Sequence, residues 1–220
     1  MKSFLIGAAT SNSGKTTFTM GLLRALRNRG LMVQPFKCGP DYIDTIFHHI
    51  ASGSESVNLD SFLSSEQHVR EIFSEYSAGA DIAVVEGVMG LFDGYDKWKG
   101  SSAEIALAIN APVILVVNAK SVAYSVAPLI YGFSRFNPRL KIAGVVFNNV
   151  ASLNHFSFLQ SACRDAGCEC LGYMTRIPEL EIPGRHLGLT ISEKENMERI
   201  ICIAAKEIEA HFDIDKLLAL

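Results

Sequence analysis

The hydrophobic pattern along the chain switches repeatedly between two periods. Short, almost uninterrupted apolar runs occur at residues 3–9, 32–37, 81–86, 112–118 and 141–148, with a weaker one at 169–174. They show little in–out alternation, as expected of strands covered on both faces. Between them the apolar positions fall at helical spacing. Phe18, Leu22, Leu23 and Leu26 share one face after the first run, and Val69, Ile72, Phe73 and Tyr76 share another before the third. A last helix carries Ile201, Ala204, Ala205, Ile208 and Phe212, with Ser192 and Glu195 placed as a capping box at its start. These stripes read as core. Strand alternating with helix predicts an α/β fold built on a mostly parallel sheet with helices on both faces.

No repeat, low-complexity tract or interdomain linker interrupts this pattern, so residues 1–220 read as a single domain. Residues 177–189, with two prolines and two glycines, read as a surface loop near the sheet edge. The tail, residues 213–220, ends on an apolar LLAL that reads as a last strand or turn.

The first apolar run leads into ATSNSGKT, residues 9–16, and the helical stripe follows at once. A GKT between a buried strand and an amphipathic helix is the setting of a phosphate-binding loop, which makes the fold P-loop NTPase-like. Backbone N–H groups of Ser11, Asn12, Ser13 and Gly14, and of Lys15, Thr16 and Thr17 at the helix start, would face the phosphates of ATP, where the helix dipole favours negative charge. Lys15 would reach the terminal phosphates and the Thr16 hydroxyl would ligate Mg2+. Ala9 stands where the motif usually begins with glycine.

An open parallel sheet gathers ligands at the carboxyl ends of its strands, and three runs end in polar clusters there. Glu86 directly follows AVV, a position suited to an acid that holds magnesium or its water shell. The segment FKCGPDYID, residues 36–44, packs Lys37, Asp41 and Asp44 around a Gly-Pro turn. Carboxylates gathered beside a phosphate site need a cation, a role for Mg2+. The fifth run ends at Asn148 and Asn149.

Composition narrows the class. A net charge of −3 with mixed signs gives no electrostatic footprint for nucleic acid or an anionic membrane. The apolar share of 49% is ample for a core. No apolar run reaches the roughly 20 residues a membrane helix needs. Five cysteines at scattered spacing argue against a disulfide framework and suit the reducing cytoplasm. Cys168 and Cys170 have no second pair at zinc-ribbon spacing and read as apolar filler.

FKCGPDYID, NLDSF at residues 58–62, EGVMGLFDG at 86–94 and RHLGL at 185–189 together resemble the ATP-dependent domain of the cobyrinate a,c-diamide synthase family, in the same P-loop amidoligase group as dethiobiotin synthetase. The resemblance runs from Lys2 to the chain end. It implies that ATP phosphorylates the a and c acetate carboxylates of a corrinoid and that ammonia displaces the phosphate. It assigns Thr16, Asp44 and Glu86 to magnesium, and Lys15 and Lys37 to the transferring phosphoryl group. Asp41, Tyr42, Ile43 and Asp93 match positions lining the corrinoid site, and Asn148 matches the position reading the adenine edge. Family members add a C-terminal glutaminase domain that supplies ammonia, and no cysteine here sits in a nucleophile elbow. A surface left bare by that domain is compatible with a homodimer. NAKS, residues 118–121, departs from the family, which more often carries an acidic residue and an arginine there.

Two other readings stand beside this one. An amidoligase for another tetrapyrrole, or dethiobiotin synthetase, shares the chemistry, although the latter's substrate loops differ from GPDYID and EGVMGLFDG. A partitioning-type ATPase switch shares the sheet, but it usually carries a second lysine early in the phosphate loop, where Thr10 stands here.

Overall fold

The computed structural model describes residues 1–180 and 191–220. The RHLGL motif, residues 181–189 of the expected surface loop and the Ser192 side chain lie outside what is described. Among the described residues the chain forms seven strands, β1 (Lys2–Ala8), β2 (Val33–Cys38), β3 (Val57–Leu59), β4 (Ile82–Glu86), β5 (Val113–Asn118), β6 (Ile142–Val150) and β7 (Cys170–Thr175). All pair in parallel, in the order β3-β2-β4-β1-β5-β6-β7. Eight helices accompany them: α1 (Lys15–Asn28), α2 (Asp44–Ser52), α3 (Glu66–Ser77), α4 (Ser102–Ala108), α5 (Val126–Arg135), α6 (Leu153–Asp165), α7 (Ile191–His211) and α8 (Ile214–Ala219).

Two separate cores explain why the strands read as unbroken apolar runs. Phe4, Ile6 and Ala8 of β1 join the side chains of α1, α2, α7 and α8. Leu5, between them, points the other way, into the core with α3, α4, α5 and α6. A strand buried on both faces has no polar face to reveal its period of two.

The helix facing the sheet beneath the phosphate loop is pressed close. A Cβ on Gly21 of α1 would lie 2.9 Å from the backbone of Ala204 in α7, so the crossing of these helices depends on that glycine. At the outer edge, Gly172 of β7 bridges Phe212 at φ 137°, and a Cβ there would meet the His211 carbonyl at 2.2 Å. That approach folds the end of α7 over the last strand.

Three expectations change. β3 was not anticipated, because a three-residue edge strand is too short to carry a period. The LLAL tail forms α8, capped by the Asp213 side chain on the Lys216 amide, rather than a strand or turn. Tyr76 is 47% exposed, so the α3 stripe ends at Phe73.

Candidate active site

The carboxyl ends of the strands surround a cavity of about 860 Å³. Its floor is the phosphate loop between β1 and α1. Asn12 (φ 59°) and Gly14 (φ 91°) adopt left-handed backbone, which turns the loop into the helix start. Ser13 is buried and its hydroxyl donates to the Thr10 carbonyl at 2.7 Å, closing the turn from inside. A Cβ on Gly14 would fall 2.0 Å from Asn148 Nδ2, which donates to the Ser13 carbonyl at 3.1 Å. Only glycine lets the β6 end lie this close to the loop.

Thr16, Lys37, Asp44 and Glu86 meet in the cavity wall although they come from α1, β2, α2 and β4. The sheet causes this: β2 and β4 are neighbours, and their register sets Lys37 opposite Glu86. Lys37 Nζ donates to Asp44 Oδ2 at 2.7 Å and to Glu86 Oε1 at 2.9 Å, while the Thr16 hydroxyl donates to Glu86 Oε1 at 2.6 Å. All four residues are buried. The Lys37 ammonium stands between the two carboxylates.

Burial opposes ionisation of Glu86, but Lys37, the His48 hydrogen bond and Thr16 outweigh it and hold this carboxyl well below the usual range. Burial and the Glu86 charge push Asp44 up against the pull of Lys37. Burial would lower Lys37, yet Glu86 and Asp44 raise it above an ordinary lysine. Lys15 is lowered, by burial first, and its ammonium donates to the Met89 carbonyl. Met89 has a left-handed φ of 48°, strain of the kind that collects at functional sites.

Ser11, Asn12, Gly14, Lys15, Thr16, Thr17, Lys37, Asp41, Asp44, Glu86 and Asn148 all line the cavity, as the sequence reading places them. Asp41 also has a structural duty, since its Oδ1 accepts the amides of Ile43 and Asp44 at 2.9 Å and caps α2. Tyr42, Ile43 and Asp93 do not line it. Tyr42 is 69% exposed at the loop tip, Ile43 packs against the α1 core, and Asp93 Oδ2 accepts the Gly90 amide at 3.0 Å within its own loop. Two features were missed. His48, wholly buried, sets Nε2 2.7 Å from Glu86 Oε2, and its position four residues after Asp44 on one helix face was the available signal. Arg176, Ile177 and Pro178 close the far side of the cavity after β7.

A parallel sheet with a glycine-gated phosphate loop at its centre and a lysine-bridged pair of carboxylates beside it defines a P-loop nucleotide-binding domain. The chain belongs to the CobQ/CobB/MinD/ParA nucleotide binding domain family, which it matches over residues 4–190. It is 46% identical to the cobyrinate a,c-diamide synthase of Listeria innocua over 223 residues, covering 99% of this chain and 49% of that protein. It is 44% identical to the hydrogenobyrinate a,c-diamide synthase of Brucella ovis, covering 99% of this chain and 50% of that protein. The chain thus spans about half the length of the curated relatives it matches. Among solved structures, chloroplast FtsY from Physcomitrella patens shares the fold, with a TM-score of 0.57 at 14% identity, covering 91% of this chain and 65% of that one.

Proposed function

We propose that this chain is the synthetase half of an ATP-dependent amidoligase acting on the a and c acetate carboxylates of a corrinoid, cobyrinate or hydrogenobyrinate. Ammonia would come from glutamine through a glutaminase domain of the kind the family resemblance implies. The observation that carries the reading is the buried Thr16–Lys37–Asp44–Glu86 cluster opening onto the cavity beside the phosphate loop. The names of the relatives support the substrate class.

The chemistry runs in two displacements. A substrate carboxylate oxygen attacks the γ-phosphorus of ATP, ADP leaves, and an acyl phosphate forms. Ammonia then attacks the acyl carbon, phosphate leaves with the bonding pair, and the nitrogen sheds a proton to give the amide. Both steps require positioning and charge stabilisation far more than covalent help. Amides of the loop cradle the phosphates, and Lys15 turns from the Met89 carbonyl to the terminal phosphate. Lys37, whose charge the two carboxylates sustain, would turn from Glu86 to the transferring group. The cavity wall shelters the acyl phosphate from water.

Thr16, Asp44 and Glu86 fit a magnesium ion delivered with the nucleotide. No three His, Cys, Asp or Glu side chains among the described residues form a dedicated metal cage, and Mg2+ bound through one or two carboxylates plus phosphates needs none. Magnesium supplies charge neutralisation between the phosphates. Asn148, against the loop, would read the adenine edge, and Asp41, Tyr42, Ile43 and Asp93 would meet the corrinoid. Among the described residues no helix is long and apolar enough to cross a membrane. Abundant ATP and free thiols fit the cytoplasm.

The test is ATP turnover with Mg2+ and ammonium, with and without cobyrinate or hydrogenobyrinate, followed by mass analysis of the corrinoid. ADP release that depends on one of them, with one or two amides gained, is the expected result. ATP binding with no corrinoid-stimulated turnover would sink the amidoligase reading.

A further inference from the structure

The Glu86 carboxylate has two sides, and the chemistry above uses one. Oε1 faces the cavity and accepts from Thr16 at 2.6 Å and Lys37 at 2.9 Å. Oε2 points behind the cavity wall to His48 Nε2 at 2.7 Å. His48 is wholly buried and does not line the cavity, so no substrate touches it. Its other nitrogen, Nδ1, lies 3.0 Å from Ser56 Oγ, on the segment that leads from α2 into β3.

The hydrogen-bond inventory fixes the roles. An ionised carboxylate only accepts, so Nε2 carries a proton and donates. In the neutral ring Nδ1 then accepts from the Ser56 hydroxyl, and in the charged ring it donates to the same oxygen. Either way the Nε2–H stays on Glu86, and Ser56 sets the plane of the ring.

The arrangement matters because the two groups on Oε1 are those a bound nucleotide recruits. Thr16 and Lys37 must turn toward metal and phosphate, which strips Oε1 of its partners. The terminal torsion of a glutamate is soft, and an untethered carboxylate would swing. His48 holds the rear oxygen throughout. It sits one helical turn after Asp44, so α2 delivers both Asp44 and the clamp on Glu86 as one rigid piece.

We infer that His48, oriented by Ser56, is a positioning residue that fixes the Glu86 carboxylate for the divalent cation that accompanies the nucleotide. This rests on the assignment of Glu86 to magnesium and on nothing about the corrinoid.

The experiment is calorimetric binding of a non-hydrolysable ATP analogue, with and without Mg2+, to the parent protein and to His48→Leu, His48→Gln and Ser56→Ala. The readout is the fold gain in affinity that Mg2+ confers. His48→Leu is expected to lose about 10–100-fold of the magnesium affinity, as removal of outer-shell partners does elsewhere, with metal-free nucleotide binding unchanged. His48→Gln, whose amide donates to the same oxygen, recovers most of the gain, and Ser56→Ala loses part of it. Should His48→Leu fail to fold, Ser56→Ala and His48→Gln decide. A full gain in Ser56→Ala, a glutamine variant as impaired as the leucine one, or a parent protein without any magnesium gain each overturns the inference. Failure of the amidation reading shows in corrinoid turnover and leaves this measurement intact.

Discussion

Replacing Lys37 with methionine keeps the apolar stem and removes the charge at the centre of the carboxylate cluster. Lys37 lies 2.7 Å from Asp44 and 2.9 Å from Glu86, and the three residues are 3%, 1% and 0% exposed. Without the ammonium, the buried Asp44 and Glu86 carboxylates lose the cation that bonds both. Breaking a buried pair by removing one partner costs about 3–5 kcal/mol. The escape is to protonate one carboxyl of the pair, and burial already raises Asp44. Protonating a carboxyl of ordinary pKa at neutral pH costs about 4 kcal/mol, so both routes arrive at a similar loss. The sign with pH follows from linkage. In the variant a carboxyl has a folded pKa above its unfolded value, so its favourable contribution is full below the unfolded pKa and fades as pH rises through the folded one. In the parent, the depressed Glu86 contributes above the ordinary glutamate range and loses that contribution as pH falls. The gap between parent and variant is therefore wide near neutrality and narrows in mild acid. Urea unfolding at about pH 7.5 and about pH 5 measures it, with about 4 kcal/mol expected at the higher value. A loss under about 1 kcal/mol, or one equal at both pH values, would refute the account of a buried cluster held by lysine.

Three further outcomes are expected. Lys15→Ala should abolish ATP turnover while the melting temperature barely moves, because Met89 is the hydrogen-bond partner of its ammonium; turnover assayed beside a thermal melt checks both. Asp44→Asn should slow acyl phosphate formation more than it weakens ATP binding, as single-turnover kinetics would show; collapsed affinity with normal turnover of bound ATP would make Asp44 a nucleotide contact. Gly21→Leu should cost at least about 2 kcal/mol through overpacking against α7, and Ala204→Gly should restore part of it in a double-mutant cycle read by chemical denaturation.

Much of the fold was legible because strands buried on both faces and amphipathic helices write different periods. The six anticipated strands stand within a residue or two of their expected limits. β3 escaped because three residues at an edge carry no period, and α8 because an apolar LLAL without context suits several conformations. Thr16, Lys37, Asp44 and Glu86 were readable as chemistry-bearing residues at strand ends, and the parallel topology brings strand ends together. Their bonding was not readable. That Lys37 bonds both carboxylates depends on the β2–β4 register, which sets it across from Glu86. His48 was invisible for a related reason: a histidine inside a helix looks like filler until the neighbouring strand shows what its ring faces. The resemblance assigned Asp41 and Asp93 to the corrinoid site, and the structure also gives each a backbone amide to hold.

The position of β1 has a consequence for how the chain is made. It precedes the other six strands along the chain, yet it lies between β4 and β5, whose pairing residues begin at Ile82 and Val113. Until those segments emerge, β1 has two bare edges and apolar side chains on both faces, the condition that invites nascent chains to associate. Pairings this distant along the chain also form slowly, since the intervening loop must close first. The phosphate loop, which follows β1 directly, therefore cannot take its working shape until β4 and β5 have paired on either side of that strand.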